Sequence, residues 1–204
     1  MKPKVLVVFY SRTGNIAALD DAEAEGAVSA GAEVRLARVD DLAPESVINA
    51  NEAWRTSRQE QKLKYQEAQI SDLEWADAVI FGSPTRYGNM AAEMKLYIDK
   101  TAGLWMAGKL LNKPASAFTS TASMHGGNET TLLSFYMPMS HLGMIIVPPG
   151  YSDPIMFQAG TPYGASAVVG GDASIRPNPL DLQAARHQGH RVATVAAALL
   201  SSKQ

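Results

Sequence analysis

Val5-Leu6-Val7-Val8-Phe9, followed by Tyr10-Ser11-Arg12-Thr13-Gly14-Asn15 and then Ile16, is the stretch on which the fold turns. The apolar run is unbroken, as in a strand of a parallel sheet that is covered on both faces. A short polar loop follows, and Ile16 opens a segment rich in Ala, Leu, Asp and Glu that reads as a helix to about residue 30. Hydroxyls at Ser11 and Thr13, the amide of Asn15 and a permissive Gly14 therefore stand where free backbone N–H groups and the positive end of a helix dipole converge. An anion is the natural guest. The loop carries neither G-x-x-x-x-G-K-[ST] nor G-x-G-x-x-G. Hydroxyls and amides without a Lys suit one terminal phosphate monoester better than a polyphosphate with magnesium. A capped helix without a ligand is the plainer alternative for this stretch alone.

The chain has 204 residues, enough for one domain with insertions, and 46% of them are hydrophobic, enough for a substantial core. The formal net charge of -2, with no polybasic run, argues against nucleic acid or an anionic membrane as partner. It also speaks against an electron shuttle that docks through a strongly acidic surface. There is no Cys, which excludes disulfides, thiol nucleophiles and thiolate metal ligands. Neither a signal-peptide core nor a stretch long enough to span a bilayer is visible, so a cytoplasmic protein is expected.

Beyond the first helix, Val34, Leu36 and Val39 alternate with charged residues as a second strand. Residues 43–67 are polar and too long for an ordinary connection, and read as an insertion, part of it helical. Trp54 in this insertion covers the core or a subunit contact. Ala78-Val79-Ile80-Phe81-Gly82 is a third strand, ending in the polar loop Ser83-Pro84-Thr85-Arg86-Tyr87-Gly88-Asn89. Met90, Met94, Tyr97 and Ile98 then recur at helical spacing as core residues. A fourth strand at 115–118 ends in the loop 119–128, a helix follows at 129–141, and 144–147 is a fifth strand. Residues 148–179 are rich in Gly and Pro without periodicity, a second insertion of functional length. A final helix is expected at 180–200.

Strands alternating with helices predict an α/β fold: a doubly wound, five-stranded parallel sheet of order 2-1-3-4-5 with helices on both faces. In that order the strand sequence reverses between the first and third strands, and ligands bind outside the carboxyl ends there. The loops after the first, third and fourth strands thus converge on one rim. The first holds a phosphate, and the other two border a flat ring, with Gly88, Gly126 and Gly127 letting the backbone approach. His187 and His190, three apart on the last helix without companion carboxylates, read as surface residues rather than metal ligands.

These loops, together with Gly103-Leu104-Trp105, His141-Leu142-Gly143-Met144, Thr161-Pro162-Tyr163-Gly164-Ala165 and Gly170-Gly171-Asp172, resemble the WrbA family in order along nearly the whole chain. The family comprises flavodoxin-like NAD(P)H:quinone oxidoreductases that bind FMN. The resemblance implies that Ser11, Arg12, Thr13, Gly14, Asn15 and Ile16 bind the FMN phosphate. Pro84, Thr85, Arg86 and Tyr87, with Asn89 nearby, would border the isoalloxazine. Ser120, Thr121, Ala122, Ser123, His125, Gly126 and Gly127 would line its other side. His141 matches the family's flavin-site His, and Trp105 an aromatic residue of the substrate pocket. Thr13 departs from the Tyr often found in the family, at a position linked with nicotinamide binding. The implied reaction takes hydride from NAD(P)H and delivers two electrons to a quinone by a ping-pong route, with no side chain as nucleophile, in a homotetramer whose subunits complete one another's pockets.

Other classes fit less well. A flavodoxin-type carrier would share the first loop but has no use for the long Gly/Pro-rich segment. A receiver domain needs acidic residues where Tyr10-Ser11 and Gly82-Ser83 stand. An FMN-binding regulatory partner protein would show no turnover, which separates it from an enzyme.

Overall fold

In the computed structural model, which describes residues 2–171 and 175–202, successive side chains of β1 (Lys4–Phe9) enter opposite cores. Val5, Val7 and Phe9 pack on one side of the sheet, Leu6 and Val8 on the other. That division is why the run is apolar at every position rather than at alternate ones. β2 (Glu33–Arg38) and β4 (Ala78–Arg86) pair with β1 in parallel on either side, and β6 (Pro114–Thr121) pairs with β4. The order β2-β1-β4-β6, completed by strand segments on the far side of β6, is the expected flavodoxin-like arrangement. One face is covered by α1 (Asn15–Ser29) and α8 (Pro179–Ser201). The other is covered by α4 (Ile70–Trp75), α5 (Ala92–Asp99) and α7 (Asn128–His141). Met90, Met94, Tyr97 and Ile98 are all buried there, as their spacing predicts.

Four departures from the sequence reading bear on the site. First, the fifth strand is split. β7 (Ile145–Ile146) pairs with Pro114 and Ala115 at the start of β6, and β8 (Ser166–Val168) pairs with Thr119, Ser120 and Thr121 at its end. The segment expected to lack structure thus returns to complete the sheet. Secondly, β4 runs on to Arg86, turns through Tyr87 and Gly88, both at positive φ, and pairs antiparallel with β5 (Asn89–Met90). What reads as a loop is a tight hairpin. Thirdly, residues 43–67 are helical in part as read, in α2 (Glu45–Asn49) and α3 (Glu52–Lys64), and the departure is β3 (Gln66–Glu67), a short parallel strand beside β2. Finally, residues 102–106 form a short helix, α6 (Ala102–Met106).

Helix α1 lies against α8 at backbone contact. A Cβ on Gly26 would stand 1.9 Å from the Arg186 carbonyl oxygen, and one on Gly189 would stand 2.0 Å from that of Glu23. The weak patterning of α1 has a further cost. Asp20 and Glu23 are fully buried, and none of their carboxyl oxygens has a hydrogen-bond partner. Burial drives both pKa values well above the ordinary carboxyl range, with Asp21 adding to the shift of Asp20 and Asp20 to that of Glu23. Each folded-state carboxyl holds its proton at a pH where the unfolded chain releases it. The stability this contributes is complete below the unfolded pKa and is lost as pH rises toward the folded value, by about 1.4 kcal/mol per pH unit per group. Melting curves from about pH 4 upward are therefore expected to show falling stability, with Glu23→Gln and Asp20→Asn each reducing the slope. An unchanged slope in both variants would overturn this assignment.

Candidate functional site

In the turn between β1 and α1 the protein itself occupies the Ser11 hydroxyl and the Ser11 and Thr13 carbonyls. Ser11 is buried, and its Oγ accepts from the backbone N–H groups of Gly14 and Ala17, each at 3.2 Å. With both lone pairs engaged, the Ser11 hydroxyl has only its proton to offer. The Ser11 carbonyl accepts from Gln61 Nε2 of α3 at 3.0 Å, and the Thr13 carbonyl from Arg176 Nη1 at 2.6 Å. Among the described residues the N–H groups of Arg12, Thr13, Asn15 and Ile16 have no acceptor. Gly14 stands at φ 90°, a conformation that favours Gly, and lets the chain turn directly into α1. Unpaired donors at a helix N-terminus are the chemistry an anionic oxygen completes.

A cavity of about 340 Å³ opens at this turn. Ser11, Arg12, Thr13, Asn15 and Ile16 form one wall; Pro84, Thr85 and Arg86 at the end of β4, and Ser120, Thr121 and Ala122 at the end of β6, form another. The three carboxyl-end loops converge as the strand order requires. Thr85 ties the second to the third: its Oγ1 accepts from Gly88 N–H at 3.1 Å and from the Thr131 hydroxyl at 2.8 Å, and lies 3.4 Å from the Gly126 carbonyl. The hairpin and the 122–127 turn approach so closely that a Cβ on Gly127 would stand 2.8 Å from Gly88 Cα.

Both insertions supply walls that sequence reasoning missed. Asn51 and Ala53 border the cavity from the first, and Val169, Gly170 and Gly171 from the second. Trp54 is buried beneath Arg12, whose guanidinium lies 4.0 Å from the indole centroid. The indole N–H donates to Asp41 Oδ1 at 2.9 Å, as does the Tyr10 hydroxyl at 3.1 Å. The Asp41 side chain is buried and also meets Arg58 at 3.2 Å and Arg38 at 3.7 Å. It thereby fastens α3 to the rim. Arg12 is exposed but held in place by the stack.

Other expected residues lie away from this cavity. Ser123 and His125 are exposed on the 122–127 turn, and Gly126 and Gly127 are half-buried there. Tyr87 projects fully into solvent at the hairpin tip, beside exposed Asn89. Trp105, on α6, is exposed. His141 is exposed at the far end of α7, about 20 Å of helix from the turn that opens it. Asp172 lies outside the described residues. His190 is exposed, while His187 is half-buried with Nε2 2.9 Å from Ser152 Oγ. No group of three or more His, Asp or Glu suited to a metal occurs among the described residues.

A family profile described as NADPH-dependent FMN reductase matches residues 4–154. A protein of Deinococcus radiodurans named NAD(P)H dehydrogenase (quinone) is 43% identical over 198 residues, covering 97% of both chains. The chain belongs to the FMN reductase family. A Paraburkholderia phymatum relative, also named NAD(P)H dehydrogenase (quinone), is 44% identical over 96% of this chain and 98% of its own. Among solved structures of similar shape is the WrbA-like flavodoxin of Agrobacterium tumefaciens, with a TM-score of 0.68 and 25% identity over 97% of this chain and 99% of that one. The WrbA resemblance of the loops is thus borne out.

Within this family's fold the Ser11 hydroxyl has two separable tasks, holding the turn and facing the cavity. Ser11→Ala is expected to lower stability by about 1 kcal/mol, a fall of about 3 °C in Tm by scanning calorimetry. It should also weaken FMN binding about tenfold in a flavin-fluorescence titration.

Proposed function

We propose that this chain is an FMN-dependent oxidoreductase that passes two electrons from NAD(P)H to quinones, the two substrates using one face of the flavin in turn. The observation that supports it most directly is the turn at 11–16. The Ser11 hydroxyl and the Ser11 and Thr13 carbonyls are engaged by the protein, while among the described residues the N–H groups of Arg12, Thr13, Asn15 and Ile16 have no acceptor and are free for a phosphate. FMN, when bound, supplies reversible acceptance of two electrons. The chain's own residues hold and surround it.

Ser11, Thr13 and the free N–H groups of the turn would bind the phosphate monoester, and Arg12, fixed on Trp54, adds a positive charge at the same wall. Pro84, Thr85 and Arg86 with Ser120, Thr121 and Ala122 bound the path away from it. The 122–127 turn borders the cavity only at Ala122; His125, exposed beyond it, would have to approach the ring to stabilise negative charge there. No residue acts as nucleophile or proton donor in this scheme. Specificity rests on position, and a shared face implies that the oxidised donor leaves before the quinone enters.

Tyr87, Trp105 and His141 do not line the cavity of their own chain, and all three are exposed. A homotetramer in which neighbouring subunits complete each flavin pocket would give them a place. No helix among the described residues is long and apolar enough to cross a membrane, and the proposed cellular place is the cytoplasm.

A visible spectrum of the purified protein titrated with FMN, followed anaerobically by NADH and then benzoquinone, tests the central reading. The expected result is a bound-flavin spectrum that bleaches with donor and returns with acceptor, and initial rates that give parallel double-reciprocal lines. Absence of bound flavin would overturn the cofactor assignment; bleaching without recovery would overturn quinone reduction; intersecting lines would overturn the shared face. Sedimentation should show a tetramer, and a monomer with full FMN affinity would remove the role given to the neighbours.

A further inference from the structure

The Gly/Pro-rich segment reaches back to the phosphate turn through one side chain. Arg176, just before the N-cap of α8, donates from Nη1 to the Thr13 carbonyl at 2.6 Å and to Asn15 Oδ1 at 3.1 Å. Both hydrogens of that nitrogen are thereby used. The same atom stands 3.0 Å from where a Cβ on Gly14 would be, so the guanidinium covers the outer side of the turn. Neither contact is to a carboxylate, and Arg176 forms no ion pair among the described residues.

No ion pair among the described residues accounts for this placement, although Asp21 and Glu60 line the same depression as Arg176. The first turn of α1 already concentrates positive potential through its dipole and unpaired N–H groups, and a cation beside it is unfavourable. The arrangement becomes favourable when a dianion occupies the cavity on the other side of the turn. The two contacts also have a geometric effect. Drawing the Thr13 carbonyl and the Asn15 side-chain oxygen outward removes acceptors that would otherwise repel a phosphate, and leaves the N–H groups of Thr13, Asn15 and Ile16 without a competing partner.

We infer that Arg176 is a positioning residue for the phosphate of the flavin cofactor: it clamps the 13–15 turn from outside and adds its charge to the field acting on a phosphate monoester. The inference rests on the FMN reading and adds a residue that lies 163 positions from the turn it serves. It also gives the second insertion a task at the cofactor. The segment that completes the sheet edge as β8 and borders the cavity at Val169, Gly170 and Gly171 continues to the clamp.

The test compares FMN with riboflavin, which carries the same ring without the phosphate. Both are titrated into apo wild type, Arg176→Gln and Arg176→Lys, followed by quenching of flavin fluorescence, with the melting temperature of each apoprotein measured in parallel. Arg176→Gln should weaken FMN binding about tenfold or more, and leave riboflavin binding within about twofold. Its apo melting temperature should be unchanged or slightly raised at low salt, because a cation has been removed from a helix N-terminus. Arg176→Lys, which keeps the charge but not the fork, should recover part of the FMN affinity. The difference between wild type and Arg176→Gln should shrink as salt is added.

Equal loss of FMN and riboflavin binding, or a fall in apo melting temperature that accompanies the loss, would reduce Arg176 to a structural tie and overturn the inference. Wild-type binding of FMN left intact by Arg176→Gln would overturn it alone. Wild-type protein that binds no FMN would instead overturn the flavin reading, and this inference with it.

Discussion

The turn after β1 offers unpaired N–H groups at the cavity while the Ser11 hydroxyl and the Ser11 and Thr13 carbonyls are engaged elsewhere, and the rest of the site is arranged around that fact. The Ser11 side chain closes onto the first turn of α1, its carbonyl is taken by Gln61, and the Thr13 carbonyl by Arg176. Had any of these partners been lost, a carbonyl or hydroxyl lone pair would be free to compete with an incoming anion. The backbone N–H groups are common to every helix start. What distinguishes this one is that its acceptors are held by residues from both insertions, α3 on one side and the segment before α8 on the other.

The two segments that carry Gln61 and Arg176 therefore add strands β3 and β8 to the sheet and also reach the first loop. The sheet and its order determine that three loops meet; Gln61 of α3 and Arg176 determine what the first of them offers. Asp41 is the joint between the two. As a buried carboxylate it would be costly alone, but it accepts from the Tyr10 hydroxyl and the Trp54 indole and meets two arginines. Asp20 and Glu23 have no such partners, and burial raises the pKa of both well above the ordinary carboxyl range. Buried carboxyl groups of the same chain thus differ in whether donors reach them.

Much of this was legible in the residues. The uninterrupted apolar run of β1 could be read because both faces of the strand are covered, the parallel sheet followed from alternation of strands with helices, and its flavodoxin-like order agrees with the family resemblance. Short strands were hidden where propensity and tertiary role diverge. Pro84, Thr85 and Arg86 carry turn chemistry yet extend β4, since pairing with β6 and the hairpin to β5 outweighs local preference. Ser166, Ala167 and Val168 form too short a run to stand out beside Gly and Pro. The site was readable where it depended on loops at strand ends. It was not where it depended on contacts distant in sequence: nothing local marks Trp54 as the seat of Arg12, or Arg176 as the partner of Thr13.

The split of the fifth strand into β7 and β8 separates two demands that usually conflict. If that strand ran on without interruption from the pairing of Ile146 with Ala115, residue 150 would stand opposite Thr119; Ser166 does instead. The intervening chain leaves the sheet after Val147, whose N–H bonds to the Ala115 carbonyl, and rejoins at Ala165, whose carbonyl accepts from Thr119. Both ends are thus pinned to the same neighbouring strand. Residues can be added to or removed from the excursion without shifting the register of β6, and hence without moving Ser120 and Thr121 at the cavity. The outer edge of the sheet is a place where the chain can acquire new surface, and new partners, while its chemistry stays in place.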